Sequence, residues 1–161
     1  MKSFYTIIIT LFVSISAYSQ DYMGCEFGVS TAEVKSYFDK FYNRTGEVTN
    51  DVVVYKDFYQ NNENRSVLFY CTEGTFKNAT VQYLTTTLNA GRIKYSGVSG
   101  LFTKLYGQPS ETEKTSNAEM ADFIKQRGIQ SMTIWNLSGI KIQVFLMKNN
   151  NVWIVHSPIN V

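Results

Sequence analysis

The sequence predicts an α+β fold in which a helix followed by an antiparallel β-meander occurs twice in tandem, with the helices packed on one face of the sheet. Two observations support this prediction. Two amphipathic helical stripes lie a constant 64 residues apart, and β-rich runs separated by turn residues follow each stripe. We expect a single domain at residues 20–161, with possible repeats at 27–86 and 89–157.

The composition limits the classes of protein to consider. The chain has 161 residues, of which 44% are hydrophobic, 15% aromatic and 17% charged, with a net charge of +2. Disordered chains are charge-rich and poor in aromatic residues, so this composition excludes an intrinsically disordered protein. The weak positive charge gives no reason to expect nucleic acid as a partner.

Residues 1–19 have the pattern of a secretory signal peptide. Lys2 precedes an apolar run from Ile7 to Ile15, and small residues, Ala17 and Ser19, stand at the −3 and −1 positions before Gln20. The run is shorter than a spanning helix needs, and no second such run follows. We therefore expect export to the periplasm or the exterior and no transmembrane segment in the mature chain.

The first helix is predicted from a capping box. Ser30 and Glu33 are three residues apart, which places the helix start at Thr31. Its apolar stripe comprises Val34, Tyr37, Phe38, Phe41 and Tyr42. Three runs with strand character follow: Val52 to Tyr59, Ser66 to Cys71, and Phe76 to Thr86.

The second helix is predicted to begin near Asn89 and to end at Gly107-Gln108-Pro109. Its stripe comprises Val98, Leu101, Phe102, Leu105 and Tyr106. The strand runs after it are Ile129 to Leu137, Ile140 to Met147, and Val152 to Ser157. The segment from Ser116 to Arg127 is ambiguous and reads as a short helix or an ordered insertion.

Three short motifs resemble the β-lactamase-inhibitor-protein-like group and the related small lipoprotein of outer-membrane assembly. They are Phe27-Gly28-Val29-Ser30 with its capped helix, Leu105-Tyr106-Gly107-Gln108-Pro109, and Trp135 in a strand before the last hairpin. The resemblance implies a helix-loop-strand scaffold whose sheet surface contacts partner proteins.

The residues that carry catalytic or metal chemistry are few. Cys25 and Cys71 form one even pair, which in an exported chain predicts a disulfide, although two buried thiols are the alternative. His156 is the single histidine and reads as a strand-end residue without a catalytic task. We therefore expect no enzyme, no bound metal and no cofactor.

Aromatic residues on the last three strands are the candidate partner-binding site. Alternation along 140–147 directs Ile140, Ile142, Val144 and Leu146 inward. We expect the opposite face to carry Trp135, Phe145, Met147 and Trp153, residue types enriched in recognition surfaces. The alternative is that another part of the protein covers this face.

The function that this pattern favours is an exported, non-enzymatic binding protein that recognises an unidentified protein partner through its sheet face. An inhibitor, an immunity factor or an envelope accessory would fit. The alternative is a carbohydrate- or peptidoglycan-binding module, or a cell-wall-acting enzyme that uses a carboxylate such as Glu111. The oligomeric state is left open.

Overall fold

A computed structural model describes residues 20–60, 63–112 and 118–159. An eight-stranded antiparallel sheet, a two-stranded hairpin and three helices make up these ranges, so the α+β class is confirmed. The signal-peptide prediction concerns residues 1–19, which lie outside the described residues. None of the helices in the described ranges is both long and apolar enough to cross a membrane.

The helices are α1 (Thr31–Tyr42), α2 (Leu88–Tyr106) and α3 (Ala118–Gln126). The small hairpin is β1 (Asp21–Tyr22) with β2 (Cys25–Glu26). The strands of the large sheet are β3 (Glu47–Thr49), β4 (Val52–Gln60), β5 (Glu63–Thr72), β6 (Thr75–Tyr83), β7 (Glu111–Thr112), β8 (Ile129–Asn136), β9 (Ile140–Met147) and β10 (Val152–Pro158).

Two meanders lie side by side in the large sheet. The strand order is β3-β4-β5-β6-β10-β9-β8-β7, so the last strands of the two meanders, β6 and β10, pair at the centre. In that central pair Ile154 lies opposite Val81. The arrangement has one helix-plus-meander unit in each half of the sheet, while a common origin of the halves stays a prediction.

The start of α1 follows the predicted capping box. The Ser30 side chain accepts a hydrogen bond from the Glu33 N–H at 3.3 Å, and the Glu33 carboxylate accepts one from the Ser30 N–H at 2.9 Å. Asn43, with φ of 50°, ends the helix in the left-handed conformation. Phe38 is fully buried and stacks on Phe69 with ring centroids 3.9 Å apart.

The buried stripes of α1 and α2 are narrower than predicted. Val34 and Phe38 are buried, and their counterparts Val98 and Phe102 pack against the same core cluster. In contrast, Phe41 is 49% exposed and Leu105 is 61% exposed, and the other stripe members exposed with them are Tyr37, Leu101 and Tyr106. Each helix packs against the sheet at the protein surface, and the sheet buries only a narrow strip of its side chains.

The third helix lies on the face opposite α1 and α2, whereas the helices of the two predicted units, α1 and α2, pack against the same core cluster. Met120 and Ile124 of α3 pack against a separate apolar cluster on β8 and β9. That cluster comprises Ile129, Met132, Ile134, Phe145 and Met147. The ambiguous segment is therefore partly a helix, Ala118–Gln126, which removes these apolar side chains from water.

Candidate binding groove

A groove of about 460 Å³ lies where α3 meets the sheet face that α1 and α2 leave uncovered. We call it the α3 groove. Its lining residues come from α3 and the segment that follows it, from the two central strands and from their neighbours: Tyr70, Asn78, Thr80, Phe123, Arg127, Ile129, Gln143, Phe145, Met147, Trp153 and Val155. A volume of this size is typical of ligand sites in proteins.

Three of the four predicted partner-binding residues line this groove. Trp153 on β10 lies opposite Phe145 on β9, and directly opposed residues of antiparallel strands share a face. Met147 follows two residues later on that same face. Phe145 and Met147 are buried, while Trp153 is only partly buried. The three therefore give the groove an apolar floor.

Trp135 does not belong to this face, and its assignment to the site is wrong. It lies opposite Ile142, which belongs to the core beneath α2. Its ring packs edge-on against Phe102, and its Nε1–H donates to the Gly107 carbonyl at 3.0 Å. The inward set of β9 is as predicted, and the β8–β9 register places Trp135 with that set.

The groove also contains residues that the sequence did not single out. Phe123 and Arg127 come from α3 and the residue after it, and the Arg127 guanidinium lies 5.7 Å from the centroid of the Phe123 ring. Tyr70 lines the groove from β5, opposite Asn78 of β6. One signal was available for Phe123, because Met120, Phe123 and Ile124 have the spacing of one helix face in the ambiguous segment.

Polar groups interrupt the apolar lining. The Nε1–H of Trp153 is buried and has no hydrogen-bond partner among the described residues. The Thr80 hydroxyl donates to the Asn78 amide oxygen at 3.4 Å, and Gln143 contributes a second amide. Burial raises the pKa of Tyr70, so its hydroxyl stays protonated at neutral pH. The groove therefore offers several donors beside aromatic surface.

Cys25 and Cys71 are free thiols here, so the predicted disulfide is not formed in this structure. Both side chains are buried in the same core cluster beneath α1. Burial, and then the neighbouring Cys71, raise the pKa of Cys25 to about 11. The disulfide stays a prediction for the protein in an oxidising compartment.

His156 lies on the α2 side of the sheet, away from the α3 groove. Burial lowers its pKa to about 4, and its ring lies 5.0 Å from that of Tyr22. Its Nδ1 has no hydrogen-bond partner within the described ranges. Glu111, the carboxylate considered for an enzyme, lies on the edge strand β7, three strands beyond the central strand β10.

The described part of the chain contains no group of three His, Cys, Asp or Glu side chains that could hold a metal ion. Comparison of the whole chain with models of protein families, with curated proteins and with solved structures gives no match. The fold and the groove thus define the class on their own: an α+β protein with an aromatic groove on an eight-stranded sheet. The resemblance drawn from the short motifs stays an expectation.

Proposed function

We propose that this chain is an exported, non-enzymatic binding protein that recognises another protein through the sheet face that carries the α3 groove. The observation that supports this most directly is the composition of the groove. Trp153, Phe123 and Tyr70 line it together with Met147, and aromatic residues with methionine are the types enriched at the centres of protein interfaces.

A second apolar surface lies on the outer side of the helices α1 and α2. It includes Phe41, Leu101 and Leu105, all of which are exposed. On this surface Phe41 lines a depression of about 540 Å³ whose lining residues are all exposed, whereas interface hot spots cluster in pockets that exclude water. The α3 groove, which combines a buried floor with polar groups at its side, is the better candidate for the recognition site.

Export is supported by the signal-peptide pattern of residues 1–19 and stays part of the proposal. Expression of the full chain in the native host, followed by mass spectrometry of the mature protein, tests it. We expect an N-terminus at Gln20. An intact N-terminal Met in a cytoplasmic fraction would contradict export.

The matched pair Phe123 and Phe41 tests the recognition face. Both are helix residues, 39% and 49% exposed, and they lie on opposite sides of the sheet. We expect Phe123→Ser to reduce recovery of the partner from host envelope extract at least about tenfold, as loss of a hot-spot aromatic does. Phe41→Ser should leave recovery unchanged. Equal recovery with both variants would refute the proposed face.

A carbohydrate ligand is the second candidate, because Trp153 lies in the groove with the amides of Asn78 and Gln143. Aromatic rings stack on sugars, and amides bind their hydroxyl groups. Calorimetric titration with peptidoglycan fragments and with chitooligosaccharides distinguishes the candidates. Saturable binding that is lost in Trp153→Ala would favour the carbohydrate.

A further inference from the structure

The charge of the α3 groove is carried by a single side chain. Of its lining residues only Arg127 is charged, and no Asp or Glu is among them. Two ion pairs, Lys35 with Asp39 and Lys56 with Glu47, lie elsewhere. The acidic residues of α3, Glu119 and Asp122, form no ion pair with Arg127. Among the described residues, the groove lining therefore has a net positive charge and no acidic side chain.

The guanidinium of Arg127 is held beside the apolar lining. It lies 5.7 Å from the centroid of the Phe123 ring, four residues earlier on the same side of α3. Contact with an aromatic face limits the freedom of the planar guanidinium while leaving its N–H groups available. A carboxylate is the acceptor whose geometry matches those N–H groups in pairs.

The indole of Trp153, which lines the groove, carries a buried donor. The buried Nε1–H of Trp153 has no partner in the described part of the chain, although most buried polar groups in folded proteins are hydrogen-bonded. Phe145, Met147 and Val155 surround the groove with apolar surface. An occupant that brings an apolar side chain beside a carboxylate would match this apolar surface and the Arg127 guanidinium.

We propose that the α3 groove binds a peptide segment of its partner in which apolar side chains flank a carboxylate, with the carboxylate on Arg127 and the apolar groups on Trp153 and Phe123. This inference rests on the proposed function and specifies the partner's chemistry. A volume of about 460 Å³ holds a few side chains, which fits a short segment of chain.

A matched peptide pair tests the carboxylate. The probes are the acetylated and amidated pentapeptides Gly-Leu-Glu-Phe-Gly and Gly-Leu-Gln-Phe-Gly, which differ only in that charge. The chain has two tryptophans, so Trp135→Phe leaves Trp153 as the single indole reporter. Calorimetry on the unsubstituted protein repeats the measurement in case Trp135→Phe perturbs the fold.

We expect the Glu peptide to bind about tenfold more tightly than the Gln peptide. Arg127→Gln should remove this preference. Arg127→Lys should keep part of the preference, because a point charge replaces the fork of N–H groups. Arg92→Gln, an exposed position on α2 across the sheet, is the control and should keep all of it.

Three results would overturn this inference. They are equal affinity for both peptides, a Glu preference that persists in Arg127→Gln, and no binding of either peptide at millimolar concentration. None of these bears on the recovery of the partner by Phe123→Ser and Phe41→Ser. A failed peptide test with a positive recovery test would therefore reject the carboxylate and keep the proposed function.

Discussion

Trp153 and Phe145 lie directly opposite each other on the neighbouring strands β10 and β9, and both line the α3 groove. This pair defines the sheet face on which the proposed recognition takes place. One strand further on, Trp135 lies opposite Ile142 and faces the other way. The two tryptophans of the chain are thus on opposite faces, one in a candidate site and the other in the core.

Gly91 should be intolerant of a side chain. A Cβ at this position would stand 2.3 Å from the Asn150 carbonyl oxygen and 3.0 Å from the Leu146 Cδ1, because the start of α2 packs closely against the β9–β10 turn. We expect Gly91→Ala to lower the free energy of unfolding by about 2 kcal/mol. Urea denaturation measures it.

The matched control for that substitution is on the same helix. Gly97 and Gly100 are exposed, and a Cβ at either meets open space. Both glycines lie inside α2. We expect each Ala substitution to raise the free energy of unfolding by about 1 kcal/mol. Destabilisation by both would show that α2 ends earlier or packs differently.

His156 should make stability depend on pH. Burial lowers its pKa from 6.5 to about 4, so the folded state favours the neutral ring. The unfolded chain binds a proton below pH 6.5, and stability is therefore lost as the pH falls from 6.5 towards 4. The full loss approaches about 3 kcal/mol. Asp21, Tyr22 and Tyr106 line the pocket around this ring.

Thermal melts between pH 7 and pH 4 measure this loss, with His156→Gln as the comparison. The variant should lose less stability over this range. Burial tends to raise the pKa of Asp39, but hydrogen bonds from Lys35, Gly46 and Tyr55 hold it below its usual range, so part of the acid sensitivity will persist. An identical pH profile for both proteins would show that His156 is accessible to protons in the folded state.

Tyr55 ties the first meander to α1 through one hydroxyl. It donates to the Asp39 carboxylate at 2.7 Å from a fully buried ring. We expect Tyr55→Phe to cost about 1 to 2 kcal/mol, since the carboxylate loses one of its donors. Tyr37→Phe removes a hydroxyl whose bond to the Met23 carbonyl is exposed, and it should cost less. Equal costs in urea denaturation would argue against the buried link.

The two cysteines give a redox prediction. Protein that has been exported into an oxidising compartment should carry the Cys25–Cys71 disulfide and be about 2 Da lighter than the reduced form. Closing a loop of about 46 residues should stabilise the protein by up to about 4 kcal/mol. Mass spectrometry of the mature protein with and without reductant measures this. Two alkylatable thiols after non-reducing unfolding would contradict the pairing.

Several elements of the fold follow from local sequence. The capping box at Ser30 and Glu33 and the alternation along β9 are both present in the structure because neighbouring residues determine them. Trp135 shows a feature that the local sequence does not determine. Alternation assigns residues to two faces within a strand, but the face shared with the next strand depends on cross-strand register.

The groove likewise could not be predicted from local sequence. Phe123 and Arg127 are distant in sequence from Trp153, and only the position of α3 across the sheet brings them together. The apolar surface of Phe145 and Met147 could be expected from β9 alone. That a helix would cover them on one side and leave a groove on the other depends on tertiary packing.

The most direct measurement of the central claim is site-specific photocrosslinking in the native envelope. A benzoylphenylalanine is placed at position 123 in the α3 groove or at position 41 on the outer side of α1. Recognition through the groove predicts a discrete protein adduct from position 123 and none from position 41, and addition of Trp153→Ala should abolish the adduct. An adduct from position 41 alone would contradict the assignment of the binding face.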